Sequence, residues 1–204
     1  MSEGDTKKEL VDLALQMLRQ KGPAHVSMRA VAREAGVSSS LISFHFGGKD
    51  ELLDACMQRF YADLAEREGQ WRQRVADAEG DRFVAICADV AEAGYQFARS
   101  WRAVVRYGGK RVAEQGGLAP QWREGLQDML FAAWSGTIAA HTGEPPARAR
   151  LRFHGAVTHV ARLAMSSERD LSGLLGEEAD EAVLIAHVRD LGAFVATRPD
   201  QPRQ

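Results

Sequence analysis

Five serines fall within seventeen residues of this chain, at Ser27, Ser38, Ser39, Ser40 and Ser43, with Arg29, His45 and Lys49 set among and after them. Hydroxyls, a guanidinium, an imidazole and an ammonium in one short stretch can hydrogen-bond anionic oxygens and the polar edges of bases. No nucleophile–base constellation accompanies them. The sequence has no H-E-x-x-H, no G-x-S-x-G elbow, no P-loop and no G-x-G-x-x-G run, so neither catalytic residues nor metal ligands are expected, and no cofactor. His154 and His159 are five residues apart, which places them on different faces of a helix.

The segment that must position these groups reads as two short helices around a tight turn. Met28, Val31, Ala32 and Ala35 share one helical face. Ser27 stands just before them as an N-cap, and Gly36 follows them where a left-handed C-cap is needed. Ser38 opens a second helix that buries Ile42 and Phe46 and turns Ser39, Ser40 and Ser43 outward; Phe44 either touches a thymine methyl or packs against the first helix. Such a helix-turn-helix can lay its second helix in the DNA major groove. Charge agrees. Residues 19–49 hold five basic side chains against Glu34 alone, a net +4, whereas the whole chain is −2, leaving −6 for the rest. A cationic patch on an acidic protein is the footprint of phosphate binding.

The run from Ser27 to Leu53 resembles the N-terminal DNA-binding domain of TetR-type transcriptional regulators. The AREAGVS block (Ala32 to Ser38), the His45-Phe46 pair, Lys49 and the following ELL carry the likeness. The resemblance implies DNA contacts by Ser27, Arg29, Ser38, Ser39, Ser40, Ser43, Phe44, His45 and Lys49, with His45 and Lys49 on the phosphate backbone. It also implies a homodimer on a double-stranded operator, an effector-binding body and, in most cases, repression. The family usually has Tyr where this chain has Ser43, and often a small polar residue where it has Leu41, so base specificity is not carried over from a relative. An activator, a ligand-independent regulator, and a helical small-molecule or protein binding module that no longer reads DNA are the alternatives.

At 204 residues the chain is long enough for a head of residues 1–48 and a ligand-binding and dimerisation body of residues 49–204. An all-α fold is expected throughout, because strand-like alternation is absent and Ala, Leu, Arg and Glu dominate. Helices are expected over about 6–20, 49–75, 81–99, 101–114, 120–142, 147–166 and 177–197, with a kink at Gly108-Gly109 and a break at Gly143-Glu144-Pro145-Pro146. Cys56 and Cys87 fall on apolar faces as core residues. MSEGDTKKEL lacks an apolar signal segment and no run is long enough to span a bilayer, so a cytoplasmic protein with no membrane partner is expected.

Aromatic residues concentrate in the middle of the chain. Trp101, Tyr107, Trp122, Phe131 and Trp134, with His154 for polarity, are the candidates to line an apolar chamber for an aromatic or apolar small molecule. Two late stripes, Phe153, Val157, Val160, Ala161 and Ala164, and Leu184, Val188, Leu191 and Val195, either serve a two-fold helical interface or cover their own core.

Overall fold

The computed structural model describes residues 3–116, 127–176, 178 and 180–197, and among them there are helices and no strands. In chain order these are α1 (Glu3–Lys21), a 3-10 turn (Pro23–His25), α2 (Met28–Ala35), α3 (Ser39–Phe46), α4 (Lys49–Val75), α5 (Gly80–Ser100) and α6 (Arg102–Gln115). A π-helical stretch (Gln127–Ala132) then leads into α7 (Ala133–Thr142), followed by α8 (Pro146–Met165), α9 (Glu168–Leu175) and α10 (Glu181–Ala196). The described chain divides into two compact units, residues 1–64 with 101–122, and residues 65–100 with 123–204.

Spacing predicts Leu10, Leu13, Ala14, Met17 and Leu18 on the inward face of α1; in the first unit Leu10, Ala14, Met17 and Leu18 are buried and Leu13 is half-buried. Val31 of α2, Ile42 and Phe46 of α3, and Leu52, Cys56 and Met57 of α4 are buried in the same unit. Arg59 of α4 reaches Asp12 of α1 at 2.9 Å. The expected kink at Gly108-Gly109 does not form: α6 runs unbroken from Arg102 to Gln115. A Cβ on Gly108 would lie 3.1 Å from Met57 Cε and 3.5 Å from Tyr61 Oη, so this glycine lets α6 close on α4 rather than bend.

The second unit is organised around α5, which packs on α10 and α8. One buried cluster joins Val75, Phe83, Cys87, Trp134 and Ile138; another joins Tyr95, Leu163, Leu171, Leu184 and Val188. Arg99 donates to the carbonyl oxygens of Ala164 (3.3 Å) and Ser166 (2.7 Å), satisfying the end of α8. Arg152 pairs with the buried Glu144 and donates to the Thr197 carbonyl at 2.9 Å, so the break at Gly143–Pro145 is locked to the end of α10. Of the late stripes, Ala164, Leu184, Val188 and Val195 are buried in this unit, Phe153, Val157, Val160, Ala161 and Leu191 are half-buried, and Leu151, Val183 and Phe194 on the same two helices are exposed.

One helix was absent from the sequence expectation. α9 opens on a capping box, where Ser167 Oγ accepts from the Asp170 N–H at 3.1 Å and Asp170 Oδ2 accepts from the Ser167 N–H at 3.2 Å. Gly176 (φ 76°) closes it, and α10 starts only at Glu181, after Asp180. The S-x-x-D spacing was the available signal. Both cysteines are free and buried, and burial pushes each thiol up to about 12, so neither is a thiolate at neutral pH. No helix among the described residues is long and apolar enough to cross a membrane. The expected helix start at Pro120 and the tail at 198–204 lie outside the described residues.

Candidate nucleic-acid interface

Two serine caps and two glycines fix the geometry of α2 and α3. Ser27 Oγ accepts from the Ala30 N–H at 3.2 Å, starting α2. Gly36 takes φ 68°, ψ 27°, a left-handed conformation that a side chain disfavours, and its N–H returns to the Ala32 carbonyl. Ser38 Oγ accepts from the Leu41 N–H at 3.3 Å, starting α3. Gly47 ends that helix with φ 70°, and its N–H donates to the Ser43 carbonyl at 2.8 Å. The hydroxyls of Ser27 and Ser38 are therefore engaged in holding the backbone.

The outward face of α3 is set by its inward one. Ile42 is fully buried and Phe46 nearly so, which leaves Ser39, Ser40, Ser43 and Phe44 exposed. Phe44 is 72% exposed, so of its two expected positions it occupies the solvent-facing one. Ser43 Oγ donates to the Ser39 carbonyl at 3.1 Å, and Ser40 Oγ lies 2.9 Å from Ser38 Oγ. Each of these hydroxyls retains acceptor lone pairs for a base or a water. His45 is half-buried, edge-on to Phe44 at 5.4 Å.

Cations flank this row. Arg29 and Arg33 are exposed on α2. Lys49 is exposed and donates to the Pro23 carbonyl at 3.2 Å, which ties the start of α4 to the 3-10 turn and leaves two ammonium hydrogens for another acceptor. Asp50 and Glu51 share that first turn and already complement the helix dipole, so anion binding there rests on the Lys49 side chain. Arg19 sits 4.5 Å over the Trp101 ring and is drawn away from the patch counted in the sequence.

The proposed ligand-lining residues fall in both units. Trp101 is 8% exposed and packs on Phe60 at 5.6 Å; Tyr107 is half-buried, and burial raises its hydroxyl pKa. In the second unit Phe131 lies 5.2 Å from His154 and 6.0 Å from Phe153, and Trp134 stacks on Phe153 at 5.7 Å. Trp122 is outside the described residues. Sequence reasoning missed Glu68. Its carboxylate is 1% exposed, within 3.1 Å of Arg72 Nε and beside Trp134; burial raises its pKa, against the lowering effects of Arg72 and the Trp134 N–H. An acid on a helix with aromatic neighbours carries no sequence signal of burial.

An all-α chain with a capped helix-turn-helix near its N-terminus is the architecture of a helix-turn-helix regulator. Residues 10–56 match the family model described as bacterial regulatory proteins, tetR family. The chain is 37% identical over 82 residues to the HTH-type transcriptional regulator BetI of Brucella suis biovar 1, a segment covering 40% of this chain and 41% of that protein. It is 34% identical over 71 residues to BetI 2 of Chromohalobacter salexigens, covering 35% and 34%. The matched segment thus spans about two fifths of the length of the first of these relatives. In fold it is similar to the multidrug binding protein EbrR complexed with imidazole (TM-score 0.62, 18% identity, 97% of this chain and 93% of that one). The same holds for FadR of Bacillus subtilis in complex with stearoyl-CoA (TM-score 0.58, 14% identity, 91% and 97%).

Proposed function

We propose that this chain is a cytoplasmic DNA-binding transcriptional regulator, a homodimeric repressor that a small-molecule effector releases from its operator. The observation that carries the reading is the exposed row of Ser39, Ser40, Ser43 and Phe44, anchored from beneath by Ile42 and Phe46 and flanked by Arg29, Arg33 and Lys49. In this reading residues 1–48 dock as the head. Two copies place α3 in successive major grooves, about one helical turn or a multiple of it apart. The Ser27 and Ser38 caps hold α2 and α3 in register, Ser39, Ser40, Ser43 and Phe44 face base edges, and His45 and Lys49 meet phosphates.

The effector belongs in residues 49–204. EbrR and FadR, which share this fold, are described with a bound small molecule, and aromatic side chains such as Phe131 and Trp134 suit an apolar guest here. Release follows if the guest prefers a body conformation that shifts α4, since both heads must dock together; the shift is limited to the difference in the guest's affinity for the two conformations.

Selection of bound sequences from random duplex DNA tests the central reading. A recovered palindromic site bound less tightly as salt rises supports it; recovery of no site favours a binding module that has lost DNA reading. Two substitutions refine the roles. Arg29→Ala costs about 1–3 kcal/mol on the selected site if the guanidinium reads a base, and an equal loss on scrambled DNA makes it a backbone contact. Lys49→Ala weakens binding to all sequences alike and makes the salt slope shallower by about one unit; an unchanged slope removes Lys49 from the phosphate clamp.

A further inference from the structure

We propose that Phe44 makes the head a reader of the pyrimidine 5-methyl group: each half-site requires a thymine, or a 5-methylcytosine in its place, against the Phe44 ring. The inference rests on the DNA-binding reading above and names the base chemistry that the same surface selects. The exposed residues of α3 are Ser39, Ser40, Ser43 and Phe44. None of them can form the paired hydrogen bonds by which Arg or Lys marks guanine, Asn or Gln adenine, and Asp or Glu cytosine. The hydroxyls are also partly spent. Ser43 Oγ donates to the Ser39 carbonyl at 3.1 Å, and Ser40 Oγ is hydrogen-bonded to Ser38 Oγ at 2.9 Å. Their remaining lone pairs accept equally from the amino group of adenine in a T·A pair or of cytosine in a C·G pair, so serine does not separate the two.

Discrimination on α3 therefore falls to the ring. Phe44 is 72% exposed, while Ile42 and Phe46 on either side of it are buried and fix the backbone that carries it. Among the described residues it is the exposed large hydrophobic of the first unit; Leu151, Leu174, Val183 and Phe194 all lie in the second. A lone phenyl is no apolar patch for a protein partner. It matches a single small apolar group, and the thymine methyl is the apolar group that a base pair presents in the major groove. The eight residues of α3 span about 12 Å, close to the groove's width of about 12 Å, so Phe44 in the second turn still reaches base edges.

The site selected from random duplex DNA is resynthesised with each thymine of the half-site replaced in turn by uracil, which deletes only the methyl group. At one position the exchange weakens binding of the full chain by about fourfold per half-site and about fifteenfold when both half-sites are changed, the worth of one buried carbon in each. There 5-methylcytosine paired with guanine binds more tightly than cytosine by the same factor. Phe44→Ala, at an exposed position, keeps the helical circular dichroism of the parent and loses both methyl effects. Phe44→Leu, which keeps an apolar contact, retains them in part. Lys49→Ala lowers affinity for all sequences yet keeps the full uracil penalty. A selected site in which no exchange to uracil weakens binding, or a uracil penalty undiminished in Phe44→Ala, would overturn the proposal and leave the DNA-binding reading standing; recovery of no site removes both.

Discussion

Gly192→Ala is expected to lower the melting temperature of the chain sharply, although alanine is the better helix former. A Cβ at Gly192 would stand 2.5 Å from the Cys87 carbonyl oxygen, 2.7 Å from Ala91 Cβ and 2.9 Å from Ala88 Cα. Two of these are backbone atoms of α5, so no side-chain rotation relieves the contact, and α5 and α10 must separate. Overpacking of this kind costs about 1–3 kcal/mol or more, against a helix-propensity gain of about 1 kcal/mol. With about 2–4 °C lost per kcal/mol in a chain of this size, a fall of several degrees follows, and more for Gly192→Val. Gly136→Ala is the control. That glycine is exposed on α7 with nothing within 4 Å of the added Cβ, so the same chemical change should raise stability by about 0.5–1 kcal/mol. Thermal unfolding of the two variants side by side gives the answer. Equal shifts would mean that α5 and α10 do not meet at Gly192.

Arg72→Ala is expected to destabilise the chain at neutral pH, whereas Glu68→Gln is not. The ion pair is lopsided: the Glu68 carboxylate is 1% exposed and the Arg72 side chain 44%. Removing the arginine strands a buried carboxylate, and removing the acid merely returns a half-exposed guanidinium to water. Breaking a fully buried pair costs about 3–5 kcal/mol; with one partner solvated, and with protonation available as an escape, on the order of 2 kcal/mol is expected for Arg72→Ala. Glutamine keeps the shape of Glu68 without the desolvated charge, so that variant should match or exceed the parent.

The pH dependence has a definite sign. Burial, first of all, raises the folded-state pKa of Glu68 above the ordinary glutamate value of 4.5. Its stabilising contribution is complete below that value and is lost as pH rises through the folded-state pKa. Denaturant titrations at several pH values should therefore show the penalty of Arg72→Ala growing from pH 5 to pH 7. They should also show Glu68→Gln gaining on the parent over the same interval. A penalty independent of pH would mean that Glu68 is not the group that responds.

Local chemistry made the head legible in the sequence. Caps and turns depend on residues within three or four positions of one another, so Ser27, Gly36 and Ser38 could be assigned their backbone roles from spacing alone, and the structure places each of them there. The inward stripe of α1 and the boundaries of α4 follow from periodicity and capping signals in the same way. Gly108 and Gly192 were not legible in that sense. A glycine inside a helical pattern reads equally as a kink, a weak point or a close crossing, and only the partner helix decides.

By itself, then, the sequence determined an all-α chain, a capped helix-turn-helix with its serine face outward, and the TetR-type signature, because each rests on short-range stereochemistry. Only the tertiary structure decided that Ala164, Leu184 and Val188 share one buried cluster with Tyr95, that Glu68 is sealed beside Trp134, and that His159 meets His187 across twenty-eight positions of chain. Burial, and the pairing of side chains from distant helices, are properties of how faces meet, and a residue's own neighbours along the chain do not encode which face it will meet.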